Sequence, residues 1–373
     1  MSEIFTNCRN KIIHSTYKHI LKPVFFRNDP EMVHDKMTDM GVFLGDHEIG
    51  KKFTDCLLGY ENKILEQNIL GIDFKNPIGL SAGFDKDAKL TGILPSVGFG
   101  FAEVGSITGK ACPGNPKPRL WRLPKSKSLA VYYGLKNEGC EKIAERLKGK
   151  KFDIPIGISV AMTNCLDNVE TENGIADYAH AFRTMEPYGD YITVNVSCPN
   201  ALGGQPFMIP GKLELLLKTL DKIKTSKPIF IKLSPDISKQ DIDEILEIAK
   251  KYRVHGIICT NLTKKRDLEK IKDEKVPSKG GLSGKLVDEL SDNLISYIYK
   301  KGGGRFVIIG SGGVFSAKDA YRKIRLGASL LQMITGMIYE GPQVISEINQ
   351  GLAELLKKDG LNNISQAIGV DNK

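Results

Sequence analysis

The chain lacks any uninterrupted apolar run of the ~18 residues that a membrane-spanning helix needs, because charges or prolines break every candidate. It also lacks an apolar stretch ending in a small-residue cleavage site, so neither an integral membrane protein nor a secreted one is expected. The seven cysteines, Cys8, Cys56, Cys112, Cys140, Cys165, Cys198 and Cys259, form no CxxC pair and have no histidine at metal-ligand spacing. This pattern implies a reduced protein without structural zinc or a disulfide framework. No Walker A sequence and no GxGxxG comes after an apolar run, which disfavours nucleoside-triphosphate and Rossmann chemistry. Nothing recurs at a period of ~20–45 residues, so a solenoid is excluded.

What remains is an ordinary globular composition: 373 residues, 41% hydrophobic and 26% charged. That length allows two domains, or one α/β barrel with an added module. The net charge of +9 suits either an anionic partner or a basic solvated surface. Nucleic acid is not the expected partner, because the basic residues are dispersed and no aromatic-rich RNA-binding signature accompanies them.

Eight short β-rich apolar runs recur, at 77–82, 101–106, 154–161, 191–197, 228–234, 256–261, 306–312 and 330–335. Their near-continuous hydrophobicity predicts strands buried on both faces. Between most of them, apolar residues three or four apart among charges predict helices at 136–147, 175–185, 213–223, 238–251, 283–299 and 317–326. Alternation of this kind over about 270 residues predicts a parallel (β/α)8 TIM barrel, with a doubly wound sheet as the alternative. The segment 63–74, with Gly71 at its turn, reads as a hairpin closing the barrel floor.

Residues 1–60 fall outside this rhythm and read as a small N-terminal α-helical extension, leaving 61–373 as the barrel. Ile13, Tyr17, Ile20, Leu21 and Val24 share one face of a first helix that should end near Lys22 or Pro23. Asp29 caps a second helix with Pro30 at its first position and a stripe of Val33, Met37, Met40 and Leu44. Over residues 1–27 five basic residues, Arg9, Lys11, Lys18, Lys22 and Arg27, face one Glu3, giving 5 − 1 = +4. Such a basic amphipathic pair suits a peripheral membrane anchor, and equally a helical pair packed on the barrel.

In a barrel the chemistry sits just after each strand. There the sequence places Ser81-Ala82-Gly83-Phe84-Asp85-Lys86, Asn195-Val196-Ser197-Cys198-Pro199-Asn200, Lys232, Thr260-Asn261, Gly310-Ser311-Gly312-Gly313 and Ile334-Thr335-Gly336. Glycine-rich turns after the seventh and eighth strands form the usual phosphate cradle of such barrels, or simply tight turns. Cys198 lies at a strand end among amides, and no histidine accompanies it in these motifs. A cysteine general base beside a cofactor therefore fits better than a Cys–His nucleophile. The loop 201–205 after it has the composition of a lid.

The motifs SAGFDKDAK (81–89), GNPKPRLWRL (114–123), NVSCPN (195–200), IKLSPD (231–236), GGLSGK (280–285) and IIGSGGV (308–314) resemble the dihydroorotate dehydrogenases in order and spacing, over about residues 29–350. The helical start and NDPEMVHD (28–35) resemble the membrane-associated, quinone-using class 2 branch. The resemblance implies FMN in the barrel mouth and oxidation of (S)-dihydroorotate to orotate in pyrimidine biosynthesis. It also implies electrons passed to a quinone entering by the N-terminal helices, on the cytoplasmic side of the cell membrane. An FMN oxidoreductase acting on another cyclic amide or enone is the alternative. A flavin-free phosphate-binding barrel and a degenerate binding protein are further ones.

Carried over position by position, the resemblance implies an FMN site of Ala82, Gly83, Lys86, Ser106, Ser159, Asn195, Lys232, Thr260, Gly284, Gly313 and Thr335. Lys232 stands near the N1 region, and the last two strand turns hold the phosphate. Lys86, Asn195, Asn200 and Asn261 hold the substrate, and Cys198 takes the C5 proton. Cys198 is the class 1 choice where class 2 places serine. Val131 stands where an orotate-binding asparagine is usual, Leu262 where Thr or Ser is, and Ile334 where Tyr is common. Each lost hydrogen bond to a buried substrate costs ~1–3 kcal/mol unless replaced.

Overall fold

The computed structural model describes residues 3–372. Four helices come first: α1 (Glu3–Thr16), α2 (Lys22–Arg27), α3 (Pro30–Gly45) and α4 (Glu48–Leu58). The first helix does not stop near Pro23. It passes through a π-helical turn, Tyr17–Leu21, and Pro23 enters the first turn of α2, where its missing N–H is no loss. The wider turn also rotates the downstream helix, by about 100° for the extra residue. Tyr17 is therefore buried while Ile20, Leu21 and Val24 are exposed, so the five residues expected on one face are divided between two. The start of α3 matches expectation: the Asp29 carboxylate accepts from the Met32 N–H at 2.8 Å and Pro30 occupies the first turn. Its packing stripe shifts, with Val42 and Leu44 on the core and Met40 exposed. Helix α4 was not anticipated.

The strands are β1 (Gln67–Ile69), β2 (Ile72–Phe74), β3 (Ile78–Leu80), β4 (Phe101–Ile107), β5 (Leu120–Leu123), β6 (Ser128–Val131), β7 (Ile156–Val160), β8 (Tyr191–Asn195), β9 (Ile229–Leu233), β10 (Gly256–Cys259), β11 (Gly281–Leu282), β12 (Val307–Ser311) and β13 (Leu330–Met333). Eight of them close into one parallel barrel, in the order β3, β4, β7, β8, β9, β10, β12, β13 and back to β3. These eight coincide with the eight apolar runs, and every helix predicted between them is present with shifted ends. At 136–147 the helix begins only at Cys140 and the residues before it are loop, while the helix predicted from 175 begins four residues earlier, at Thr171. The stretch predicted as one helix at 283–299 is composite, a 3-10 turn (Gly284–Val287) leading into Asp288–Gly302.

Small and large residues alternate at the bottom of the barrel. A methyl group added at Gly79, Gly157 or Gly256 would run into the ring of Phe101, Tyr191 or Phe230 on the adjacent strand. Each glycine thus makes room for its neighbour's ring. Phe74, at the end of the β1–β2 hairpin, packs edge-on against Phe101 at 5.4 Å and closes this aromatic floor from below. With its lower end sealed, the barrel opens only at the carboxyl ends of its strands. There an unpredicted three-stranded antiparallel sheet, β5–β6–β11, overhangs the mouth, with Val131 opposite Gly281.

The floor gives a direct test. Gly157→Ala should cost about 1–3 kcal/mol through overpacking, read as a lower urea midpoint at unchanged slope. An unchanged midpoint would show that the Tyr191 ring has room to move.

Candidate active site

Asp85 organises the turn after β3. Its buried carboxylate accepts from the Lys89 and Leu90 N–H groups, both at 2.8 Å, and its carbonyl from the Gly105 N–H at 2.9 Å. That strapped turn aims Lys86 into the mouth. The Lys86 ammonium lies 4.1 Å from the centre of the Tyr133 ring and 3.3 Å from His34 Nε2. Burial, then the nearby Lys136, pushes Lys86 down to about 8. Burial, then Lys86, pushes His34 down to about 3. The imidazole is therefore neutral near pH 7 and offers its Nε2 lone pair to Lys86.

Across the mouth the polar side chains touch one another. Asn195 Nδ2 donates to Ser106 Oγ at 2.8 Å, and Ser106 Oγ lies 2.7 Å from Ser159 Oγ. Asn261 Nδ2 donates to Asn195 Oδ1 and to Ser197 Oγ, each at 3.1 Å. Asn200 Nδ2 donates to the Val131 carbonyl at 2.8 Å, which ties the Cys198 loop to the overhanging sheet. Ser283 Oγ and Thr335 Oγ1 are 2.8 Å apart across the last strand turn.

One cavity, open to solvent, gathers these groups. Its wall includes Ala82, Gly83, Lys86, Ser106, Asn195, Cys198, Asn200, Lys232, Thr260, Asn261, Gly284, Gly313 and Thr335. Of the site residues inferred from the sequence only Ser159 is off the wall, fully buried behind Ser106. Val131 and Leu262 are on the wall too and bring it no side-chain hydrogen-bonding group.

Three lysines, Lys86, Lys136 and Lys232, face the cavity, and among the described residues no Asp or Glu does. Such a wall suits anions. A phosphate-bearing flavin fits it on two further observations. At Gly83, with φ +105°, an added methyl would meet nothing, so the backbone there opens onto free space. At Gly284 it would strike Thr335 and the Lys127 carbonyl, and at Gly313 the Asp288 side chain, so these turns are held against their supports.

Cys198 is half-buried on the wall. Burial pushes its thiol up to about 11, and the backbone at Asn200 opposes the rise only in part. At pH 7 the thiolate is then about one part in 10⁴, a weaker resting base than the ordinary thiol the sequence suggested.

Residues outside the carried-over set complete the site. Glu31 of α3, 3% exposed, receives the Arg119 fork, with Nη2 at 2.8 Å and Nε at 3.1 Å, and lies 3.6 Å from both Lys117 and Lys136. Burial pushes the Glu31 carboxyl up, but Arg119 and the two lysines outweigh it and hold it below the usual carboxylate range. Arg119 Nη1 donates to the carbonyls of Pro113 and Asn115 at 2.9 and 2.8 Å, and Asn115 Nδ2 donates to the Asn200 carbonyl at 3.1 Å. The N-terminal helices thereby reach the loop after β8 that carries Cys198 and Asn200. Glu31, His34 and Arg119 all fall inside the motifs NDPEMVHD and GNPKPRLWRL, and only their partners were unreadable.

A second junction lies where the cavity wall continues through Leu120, Leu129 and Ile338. Phe26 meets Tyr339 edge-on at 5.3 Å, the Arg122 guanidinium lies 4.7 Å from the Phe26 ring centre, and Lys22 donates to the Tyr339 carbonyl at 2.9 Å. Arg9 is also turned inward, donating to Ser346 Oγ at 2.8 Å. Of the five N-terminal basic residues expected to face a membrane, Lys11, Lys18 and Arg27 remain exposed.

The family model described as Dihydroorotate dehydrogenase matches residues 64–356. A "Dihydroorotate dehydrogenase (quinone)" of Crocosphaera subtropica is 40% identical, over 92% of this chain and 95% of its own length. One of Trichormus variabilis, with the same description, is also 40% identical, over 96% and 99%. Among solved structures, a DHODH from Eimeria tenella in complex with ferulenol is similar, with a TM-score of 0.81 and 29% identity over 92% of this chain and 96% of that one.

Removing the Glu31 carboxylate leaves Arg119 buried without its counter-ion. Glu31→Gln should therefore cost roughly 3–5 kcal/mol, measured by denaturant unfolding at pH 7. The difference from wild type should shrink only as the pH falls below the ordinary carboxylate range, where the native carboxyl also protonates. A loss that is independent of pH would refute the ion-pair account.

Proposed function

The chain belongs to the dihydroorotate dehydrogenase family, and from that premise we propose that it oxidises dihydroorotate to orotate in pyrimidine biosynthesis, with a quinone as electron acceptor. The observation that carries this reading is the cavity wall, with three lysines, several amides, one thiol and no carboxylate. The family is flavin-dependent, and the cofactor here is FMN, whose single phosphate suits the turns at Gly284, Gly313 and Thr335. Gly83, Ser106, Asn195, Lys232 and Thr260 would line its ring and chain, with Ala82 and Lys86 beside them and Ser159 supporting Ser106. When bound, the flavin accepts two electrons with the hydride from C6 of the substrate and returns them to quinone.

Lys86 pairs with the substrate carboxylate, and Asn195, Asn200 and Asn261 hold the ring amides. Cys198 takes the proton from C5, so that one C–H bond parts as a proton and its neighbour as a hydride and a C5=C6 double bond forms. Because the resting thiol is protonated, its loss of a proton to solvent precedes each turnover. The overhanging sheet and the Asn200 bond to Val131 keep water from the reacting carbons. The departures at Val131 and Leu262 leave recognition to the lysine and the three asparagines.

Residues 1–60 form the quinone-access module. Ile20, Leu21, Val24, Phe43, Ile49 and Phe53 are exposed along its helices, the last two at 84% and 61%, beside the exposed Lys18 and Arg27. Aromatic and aliphatic side chains in such a cluster suit a lipid surface. No helix among the described residues is long and apolar enough to cross a membrane, so attachment is peripheral. The quinone reaches the cavity past Phe26, Arg122 and Tyr339.

Anaerobic mixing of the purified flavoprotein with dihydroorotate tests the reading. Bleaching of the flavin band in wild type, and retained flavin with at least a hundredfold slower bleaching in Cys198→Ala, is the expected result. No bleaching of wild type would sink it. The reduction rate should rise close to tenfold per pH unit from pH 7 to 9 as thiolate forms, while KM for dihydroorotate rises above about pH 8 as Lys86 loses its charge. A flat rate profile would exclude Cys198 as the base. Ile20→Asp with Val24→Asp, both at exposed positions, should abolish co-sedimentation with anionic vesicles and leave flavin reduction by dihydroorotate intact. Undiminished vesicle binding would exclude this face as the anchor.

A further inference from the structure

Glu103 lies on β4 inside the barrel, 0% exposed, and takes no part in the proton and hydride transfers. Burying a carboxylate is expensive, and this one is incompletely served. Three donors converge on Oε2: Thr193 Oγ1 and Gln332 Nε2, both at 2.9 Å, and the Tyr191 hydroxyl at 3.4 Å. Oε1 has no hydrogen-bond partner among the described residues. A buried acceptor left in that condition needs compensation from elsewhere.

Lys232 on β9 has the complementary problem. It is 5% exposed, forms no salt bridge among the described residues, and its ammonium donates to Ser81 Oγ at 3.2 Å. Ser81 Oγ in turn donates to Gln332 Oε1 at 3.4 Å, and Gln332 Nε2 donates to Glu103. Every hydrogen in this chain points from the ammonium toward the carboxylate. Bonds aligned head to tail in this way polarise one another, and in a low-dielectric interior that coupling is strong.

The geometry points to Glu103 as the buried counter-charge of Lys232, joined to it through Ser81 and Gln332, so that a cation stands ready on the wall where the flavin ring gains electrons. Glu103 is thus a positioning residue: it touches neither substrate nor cofactor and acts through the lysine. Burial lowers Lys232 from the ordinary lysine range, and Glu103 is the largest influence opposing that fall. The titratable groups facing the pair are few. Cys198, beyond the end of β8, acts on Lys232, and Tyr191 of β8 faces Glu103, its own hydroxyl held protonated by burial. The inference rests on the flavin reading for its consequence, but the charge pairing itself belongs to this chain alone.

Two measurements separate the inference from the reading beneath it. In ¹⁵N-lysine-labelled protein, the Lys232 signal, assigned by its absence in Lys232→Met, should titrate at least one pH unit lower in Glu103→Gln than in wild type, with flavin bound or not. In the flavoprotein, the reduction potential of Glu103→Gln should become more negative above that new midpoint. The expected shift is about 30 mV for each tenfold loss of preference for the reduced form. It should vanish in a Lys232→Met background. An unchanged Lys232 titration overturns the pairing, because glutamine is then equivalent to a carboxyl that was already neutral. An equal shift of potential in the Lys232→Met background overturns the route through the lysine. Protein that binds no flavin would refute the flavin reading, and the lysine titration would still decide the pairing. Should Glu103→Gln not fold, Ser81→Ala cuts the chain at its first link, and it too must lower the Lys232 midpoint for the inference to stand.

Discussion

Three lysines face one cavity whose wall, among the described residues, holds no carboxylate, and holding those like charges together organises much of the surrounding structure. Each lysine is answered without a carboxylate on the wall. Lys86 rests against a neutral imidazole and an aromatic face. Lys136, on the loop before Cys140, lies 3.6 Å from Glu31 of α3. Lys232 is tied to a serine and, two bonds further on, to the carboxylate of Glu103. With the counter-charges one layer back, the wall stays free for a phosphate and a substrate carboxylate.

This arrangement also explains why the N-terminal helices are more than an appendage. His34 and Glu31 sit on α3, three residues apart, so one helical face delivers both the lone pair beside Lys86 and the carboxylate beside Lys136 and Arg119. Arg119 passes the constraint on, through the carbonyls of Pro113 and Asn115, to Asn200 in the loop that carries Cys198. The helices that carry the exposed apolar residues therefore bear on the geometry around Cys198. Shifts of the module against the barrel change the setting of Lys86 and Asn200 together.

The barrel was legible because parallel strands buried on both faces leave an unmistakable apolar signature, and all eight runs became staves. The elements that could not be read are those whose reason is tertiary. Strand β11 is two residues long, and β5 and β6 are held by one another rather than by the core, so none has a period to detect. The π turn at 17–21 rotates a helical face by a residue, which no count of threes and fours anticipates. At the site, motif matching found residues that line the cavity wall, because the motifs lie at the ends of the barrel strands. It missed Glu103 and Gln332, and it gave Ser81 no role beyond its place in a motif, because the three come from separate stretches of the chain and meet only when the barrel closes. It also took Cys198 at its ordinary acidity, since desolvation is a property of the folded loop and not of the tetrapeptide around it.

The raised thiol and the lowered lysine pull the site in opposite directions along the pH axis. Cys198 becomes a base only as pH climbs toward about 11, whereas Lys86 surrenders its charge near 8. Both shifts have burial as their largest cause, so no change in the dryness of the cavity improves one without altering the other. Drier surroundings strengthen the grip of any charge on the substrate and deepen the penalty on the thiolate. A bound anion relieves the conflict only for the lysine, because a carboxylate beside Lys86 restores its ammonium while adding a negative charge near Cys198. In the proposed reaction the thiol's proton must therefore leave against the field of the substrate whose C5 proton it is to take. The cation that opposes the rise of the Cys198 thiol is Lys264, on the loop after β10, and its charge offsets part of that field.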